Sequence, residues 1–106
     1  MARYLIAASY TADGIRGVLQ QGGTARRDAV AKTISDIGGH LESLDFAFGA
    51  EDAFAIVDLP DNVSAAALGM AVSASGMVAA RTVVLLTPEE IDRAAAMKIG
   101  YTPPGK

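Results

Sequence analysis

The sequence predicts an α+β domain with the element order β-α-β-β-α-β and a further helix at its C-terminus. Three observations indicate this class. Short apolar segments with the composition of strands alternate with segments whose apolar residues recur every three or four positions. Glycine pairs and helix-capping residues separate these segments. Two of the strands are joined by a loop too short to hold a helix, so they are expected to form an antiparallel hairpin.

The first half of the chain is predicted to contain two strands separated by helical segments. Either Thr11 or Asp13 is expected to cap the first helical segment. Glycine pairs at 22–23 and 38–39 end the helical segments, because glycine adopts the backbone conformations that helix ends require. In chain order, the strand, the two helical segments and the next strand cover residues 4–10, 15–19, 25–37 and 40–48.

The second half repeats the alternation of strand and helix. Residues 60–62 end a strand and offer capping side chains to the helix that follows. The segment from Thr87 to Glu90 has the pattern of a capping box, with a proline in the first turn of the last helix. The elements cover residues 52–59, 63–76, 77–86 and 88–98, which gives one domain over residues 1–99 and an extended tail over 100–106.

Composition excludes several classes of protein. The chain has 106 residues, of which 51% are hydrophobic and 20% charged, with a net charge of −3. This balance excludes intrinsic disorder, and an acidic chain offers no basic surface to the phosphates of a nucleic acid. The absence of cysteine excludes disulfides, thiolate metal sites and iron–sulfur clusters. With a single histidine, we predict no metal site and no cofactor.

No segment of the sequence suggests a targeting signal or a membrane span. The first ten residues contain too few apolar side chains for a signal peptide. No apolar run approaches the roughly 20 residues that a helix needs to cross a bilayer. We therefore predict a cytoplasmic protein that has no membrane partner.

The predicted element order is that of the ferredoxin-like fold, in which both crossover helices cover the same face of a four-stranded sheet. The other face has no helix to cover it, yet the strands carry apolar residues on both faces. A second copy of the chain is the simplest cover. We predict a homodimer formed sheet to sheet, with further assembly left open, and expect Ala47, Ala53 and Ala55 to permit the close approach.

Short motifs in a fixed order resemble those of the GYD domain family over residues 3–92. A strand ends in Thr-x-x-Gly, a glycine pair follows the first crossover, and further motifs stand at the hairpin and before the next helix. The matching positions are Thr11 and Gly14, Gly38 and Gly39, Gly49 and Asp52, Pro60 and Asp61, and then Thr82 and residues 87–90. Glu51 stands where the family has its tyrosine, so no role of that phenol is carried over.

The resemblance implies a dimeric α/β barrel, in which two ferredoxin-like sheets pack face to face. Proteins that share this architecture include cofactor-free monooxygenases, isomerases similar to muconolactone isomerase, and haem-binding proteins similar to peroxidases. The GYD family itself supplies no settled activity, and a shared fold is weak evidence for a shared function.

Three candidate ligand-binding residues lie on the second and fourth strands. His40 is interpreted as a solvated histidine at a strand start, with a haem ligand or general base as the alternative. Asp45 is assigned to the sheet face away from the helices, where a buried carboxylate needs a partner. Arg81 is the expected partner, across the sheet or across a dimer, and ligand binding or acid–base chemistry is the alternative.

The remaining candidates lie near the first and third strands. Asp52 is expected to accept hydrogen bonds from nearby backbone N–H groups, and with Glu51 it would make a poor chelate because adjacent strand residues point to opposite faces. Tyr10 shares one face of the first strand with Tyr4, for packing or for presenting its phenol to a ligand. Residues 26–27, both arginine, are interpreted as a solvated helix face, with an anion site as the less favoured alternative.

These features favour a homo-oligomeric domain that binds a small organic molecule or serves a structural role. The alternative is a cofactor-free enzyme, similar to a monooxygenase or an isomerase, and no catalytic residue is assigned. A closed apolar pocket lined by at least two of Tyr10, His40, Asp45 and Arg81 would favour catalysis. A filled core would favour binding or structure. The third alternative is a protein-interaction module that uses the tail at 100–106. In that case the tail would be found docked on a neighbouring molecule.

Overall fold

A computed structural model describes residues 1–105 of the chain, so Lys106, the last residue of the predicted tail, lies outside the described residues. The predicted alternation of strands and helices is confirmed. In chain order the elements are β1 (Ala2–Tyr10), α1 (Ala12–Gln21), α2 (Gly23–Asp36), β2 (His40–Phe46), β3 (Ala53–Leu59), α3 (Asn62–Ala74), β4 (Val78–Leu85) and α4 (Pro88–Ala96). Strand β2 ends earlier than predicted, and Phe48 beyond it is fully exposed.

The strands form one antiparallel sheet in the order β2-β3-β1-β4. This order is consistent with the predicted ferredoxin-like arrangement, in which β1 and β3 are central and β2 and β4 are the edges. Helix α2 packs near β2, and α3 packs near β4. Ile34 of α2 and Ala65 of α3 belong to the same buried cluster, so both helices cover one face of the sheet.

The core lies between that face and the helices. Tyr4, Ile34, Val57 and Leu59 are each at most 1% exposed and form its centre. The phenol of Tyr4 donates a hydrogen bond to Oδ1 of Asn62 over 2.6 Å, which satisfies its hydroxyl at the edge of the core. Helix α1 lies on the same side as α2 and α3, and within residues 1–105 α4 has no substantial contact with any strand. Among the described residues the opposite face of the sheet is therefore uncovered.

Ala53 and Ala55 lie on the helix-covered face, and their predicted place in a sheet-to-sheet contact is wrong. Both residues are buried, and Ala55 belongs to the core cluster. They alternate along β3 with Phe54 and Ile56, which therefore point to the uncovered face. The uncovered face of β3 therefore carries the larger side chains of Phe54 and Ile56, and not the alanines that were predicted there.

Two glycines stand where the backbone of one element approaches another too closely for a side chain. Thr11 caps α1, accepting a hydrogen bond at Oγ1 from the backbone N–H of Gly14 over 3.2 Å. A Cβ on Gly14 would overlap the carbonyl oxygen of Met77, just before β4. A Cβ on Gly39 would likewise overlap the carbonyl oxygen of Asp58. These close approaches explain why glycine is needed in the Thr-x-x-Gly motif at Gly14 and in the glycine pair at Gly39.

Candidate functional site

A cavity of about 150 Å³ lies between the sheet and the helices. Its floor includes three alanines in one row across the sheet, because Ala8 pairs in register with Ala53 on one side and with Ala80 on the other. Protein interiors are normally close-packed, with few voids larger than a water molecule. Side chains that end at Cβ in the middle of the sheet leave the space open.

The walls of the cavity are mostly apolar. Helix α2 contributes Val30 and Ile34, and α3 contributes Leu68 and Val72. The polar side chains among the lining residues are those of Tyr10, Arg26, Thr33 and Thr82. An apolar space with a few convergent polar groups is the usual form of a small-molecule site.

Tyr10 and Arg26 meet at one end of this cavity. The guanidinium carbon of Arg26 lies 5.9 Å from the centroid of the Tyr10 ring, which is within range of a cation–π interaction. The Nε atom of Arg26 is buried and has no hydrogen-bond partner among the described residues. Tyr10 shares one face of β1 with Tyr4, as predicted, and the structure shows that this face is the one that the helices cover.

The position of Arg26 differs from the solvated helix face that was predicted for both arginines. Arg27 fits the prediction, because its Nη2 pairs with Oδ1 of Asp28 at 3.1 Å on the surface. Arg26 instead precedes Val30 by four residues and Ile34 by eight, so it lies on the inward stripe of α2. That spacing is the signal in the sequence that would have placed Arg26 at the cavity.

Asp52 forms hydrogen bonds to the backbone at the end of β1, next to the point where Tyr10 lines the cavity. Its Oδ2 atom accepts a hydrogen bond from the backbone N–H of Tyr10 over 2.9 Å, and its own N–H donates to the carbonyl oxygen of Ala8 over 2.8 Å. This is the backbone role that the sequence analysis expected of Asp52. The carboxylate therefore acts on the cavity by positioning Tyr10.

The other three candidate residues lie on the uncovered face of the sheet. The pairing register places His40 beside Asp58, Asp45 beside Phe54, and Arg81 beside Ala7. All three candidates are exposed and none of them lines the cavity. Of these candidates, Tyr10 lines the cavity, whereas the other three lie on the opposite face of the sheet.

Asp45 and Arg81 do not pair within one chain. They stand at opposite ends of one row that crosses the sheet through Phe54 and Ala7, about 14 Å apart at the usual spacing of strands. Arg81 instead donates through Nη2 to Oε1 of Glu51 over 3.0 Å. The alternative contact of Asp45, with a second chain, stays a prediction.

Neither a metal cluster nor a membrane helix is found in the part of the chain that the structure describes. Within residues 1–105, no group of three or more histidine or acidic side chains is arranged to hold a metal ion. No helix in that range is both long and apolar enough to cross a membrane.

The fold and the cavity define an α+β protein whose antiparallel sheet is covered by helices on one face, with a mostly apolar, partly open cavity between the sheet and the helices. The family model of the GYD domain matches residues 4–95. The chain belongs to the GYD domain family, which confirms the resemblance seen in its motifs. No curated protein and no solved structure matches the chain significantly.

Proposed function

We propose that the protein is a homodimeric domain that binds a small organic molecule in the cavity between the sheet and the helices. The observation that carries this proposal is the cavity of about 150 Å³ above the alanine row. An apolar cavity of about this volume accommodates a molecule the size of benzene. The polar groups at one end, on Tyr10 and Arg26, would orient such a molecule.

The distribution of the candidate residues favours binding over catalysis. A cofactor-free enzyme needs an acid or base that touches its substrate inside the pocket. Of the four residues considered for that role, Tyr10 alone lines the cavity, and His40, Asp45 and Arg81 lie on the other face. A closed pocket lined by at least two of them is the arrangement expected of an enzyme, and a filled core is that expected of a binding or structural domain. The cavity matches neither expectation in full, and the absence of a second candidate from its lining is what weighs against catalysis.

The uncovered face supports the homodimer. Leu5, Phe54, Ile56 and Val83 give this face a partly buried apolar centre in the single chain. Apolar patches of this kind on soluble proteins mark interaction surfaces when they are contiguous. We propose that a second copy of the chain covers it.

Charge complementarity indicates how the two copies would pack. Asp45 and Arg81 stand at opposite ends of one row, on the two edge strands. A two-fold axis parallel to the strands, at the centre of the uncovered face, would set β2 of one copy against β4 of the other. Each Asp45 would then face Arg81 of the other copy, and the same patch would serve both.

Ligand titration followed by NMR tests the binding function. Benzyl alcohol, a neutral molecule with one ring, is expected to shift the amide signals of Ala8 and Val30 saturably. Ala8→Leu should abolish the ligand-induced shift at Val30, because the larger side chain fills the floor of the cavity. Ala8→Val adds less volume and should reduce that shift by a smaller amount. Ala94→Leu in the exposed helix α4 is the matched control and should leave the ligand-induced shifts unchanged. Failure of the wild-type protein to bind, or equal binding by the Leu variant, would contradict the proposal.

Light scattering at micromolar concentration tests the dimer. We expect the wild-type protein to have the mass of two chains, and Asp45→Arg or Arg81→Asp to shift the equilibrium towards one chain. Combining the two changes should restore the dimer, because it exchanges the two signs across the interface. A wild-type mass of one chain would show that the uncovered face is not paired in this way.

A further inference from the structure

We infer that the natural ligand of the cavity is a compact carboxylate with about one ring, and that Arg26 binds its carboxyl group. This inference rests on the proposed binding function and adds the chemical class of the ligand. It depends on the environment of Arg26, on the size of the apolar space beside it, and on the partners of the carboxylates nearby.

The guanidiniums of Arg3, Arg16, Arg27 and Arg81 each pair with a carboxylate, whereas among the described residues those of Arg26 and Arg93 have no such partner. Arg93 is exposed to solvent, and Arg26 is partly buried. None of the ion pairs among the described residues includes Arg26. Its Nε is buried without an acceptor, and a buried charged donor that lacks its hydrogen bond is costly. A ligand carboxylate would supply the missing acceptors, because the guanidinium fork matches a carboxylate with two parallel hydrogen bonds.

The carboxylates around the cavity end are already engaged. Asp13 pairs with Arg16 in the first turns of α1. Asp52 accepts the backbone N–H of Tyr10 and serves the strand end. Neither carboxylate forms an ion pair with Arg26, so its guanidinium has no carboxylate partner among the described residues. A single cation in an apolar setting suits a monoanion such as a carboxylate better than a phosphate, which carries more charge.

A more open hollow of about 490 Å³ shares Tyr10 and Arg26 with the cavity. The apolar part of the ligand would occupy the cavity itself, a space of about 150 Å³. This volume corresponds to roughly one six-membered ring. The Tyr10 ring, which stacks near Arg26, offers a flat surface beside the expected position of the carboxyl group. Benzoate is therefore the appropriate probe, and benzyl alcohol is its neutral counterpart of nearly the same size.

The test compares these two compounds in NMR titrations of the wild-type protein and of arginine variants. We expect benzoate to bind the wild-type protein at least about tenfold more tightly than benzyl alcohol, since a hydrogen bond to a charged group contributes about that much. Arg26→Gln should remove this preference while leaving the binding of benzyl alcohol unchanged. Arg26→Lys should restore part of it, and Arg27→Gln is the matched control that should not alter it.

The outcomes separate this inference from the function on which it rests. If benzyl alcohol binds but benzoate binds no more tightly, or if Arg26→Gln keeps the preference, the carboxylate site is wrong and the binding cavity stands. If neither compound binds the wild-type protein, both proposals are wrong. The comparison of the two compounds in the wild-type protein needs no variant, so a failure of Arg26→Gln to fold would not remove the test.

Discussion

Asp52 accepts the backbone N–H of Tyr10 over 2.9 Å, and this bond lies just beyond the last paired residues of the two central strands. The register of β1 with β3 ends at the pair Ala8 and Ala53. Past that point the side chain of Asp52 takes the place of a backbone acceptor. Tyr10 is thereby held in line with β1 at the mouth of the cavity.

Removing this carboxylate should destabilise the protein. We expect Asp52→Ala to lower the free energy of unfolding by about 2 kcal/mol, because hydrogen bonds to charged acceptors contribute about 1.5–3 kcal/mol. Asp52→Asn keeps an acceptor oxygen and should cost less. Urea unfolding measures both values, and Asp92→Asn in the exposed part of α4 is the control. Equal stability of Asp52→Ala and wild type would contradict this role.

Gly14 and Gly17 lie in the same helix and should respond to alanine in opposite directions. A Cβ at Gly14 would overlap the Met77 carbonyl, whereas a Cβ at Gly17 would meet open space. We expect Gly14→Ala to destabilise the protein by about 3 kcal/mol, as overpacking against a fixed backbone does. Gly17→Ala should stabilise it by about 0.5–1 kcal/mol through helix propensity. Thermal unfolding of the pair tests this, and similar values for both would contradict it.

The cap of α4 should depend on pH. Glu90 accepts the backbone N–H of Thr87 over 2.9 Å, and this hydrogen bond holds the pKa of the Glu90 carboxyl below its usual range. A carboxyl whose pKa is lowered by folding stabilises the folded form above its unfolded pKa. The contribution of the Glu90 carboxylate to the cap is therefore present above the ordinary pKa of a glutamate and is lost as the pH falls through the lowered pKa of the folded form.

NMR Cα shifts of α4 between pH 6 and pH 3 measure this loss of helix. Glu90→Gln should weaken the pH dependence of the first turn, because the group that titrates is gone. Glu89→Gln, one residue earlier in the same turn, should keep it. An α4 whose shifts stay constant over this range in the wild-type protein would contradict the prediction.

His40 should be dispensable for the fold, the assembly and the cavity. It lies exposed at the start of β2, on the uncovered face, beside Asp58. We expect His40→Ala to change stability by no more than about 0.5 kcal/mol, as is usual for surface substitutions. Light scattering and the absorption spectrum of the purified variant test this. Loss of a bound chromophore would instead support the haem interpretation.

Local chemistry made the element boundaries predictable from the sequence. Thr87 and Glu90 form the capping box that their spacing indicated, and Thr11, one of two expected caps, is the residue that caps α1. Asp61 caps α3 through the backbone N–H of Ser64. These capping interactions join residues only a few positions apart, so they can be predicted from the sequence without knowledge of the tertiary structure.

The faces of the sheet and the cavity were harder to predict, for physical reasons. Along β3, Ala53 and Ala55 alternate with Phe54 and Ile56, and all four are apolar, so the period of two does not say which set faces the helices. The small side chains of Ala53 and Ala55 suggested a close contact between two sheets, whereas in the structure they leave room for the cavity under the helices. Arg26 was assigned to solvent because it is charged, although its spacing to Val30 lies along the inward stripe of α2.

The alternation of β3 has a consequence for how proteins with this architecture diverge. Ala53 and Ala55 face the cavity, whereas Phe54 and Ile56 face the uncovered side. If the cavity binds a ligand and the uncovered face binds a partner, as proposed, substitutions at Ala53 and Ala55 would alter the size of the ligand, and substitutions at Phe54 and Ile56 would alter the choice of partner. Under the proposed function, ligand specificity and partner choice could therefore be inherited separately, although both would depend on the same strand of seven residues.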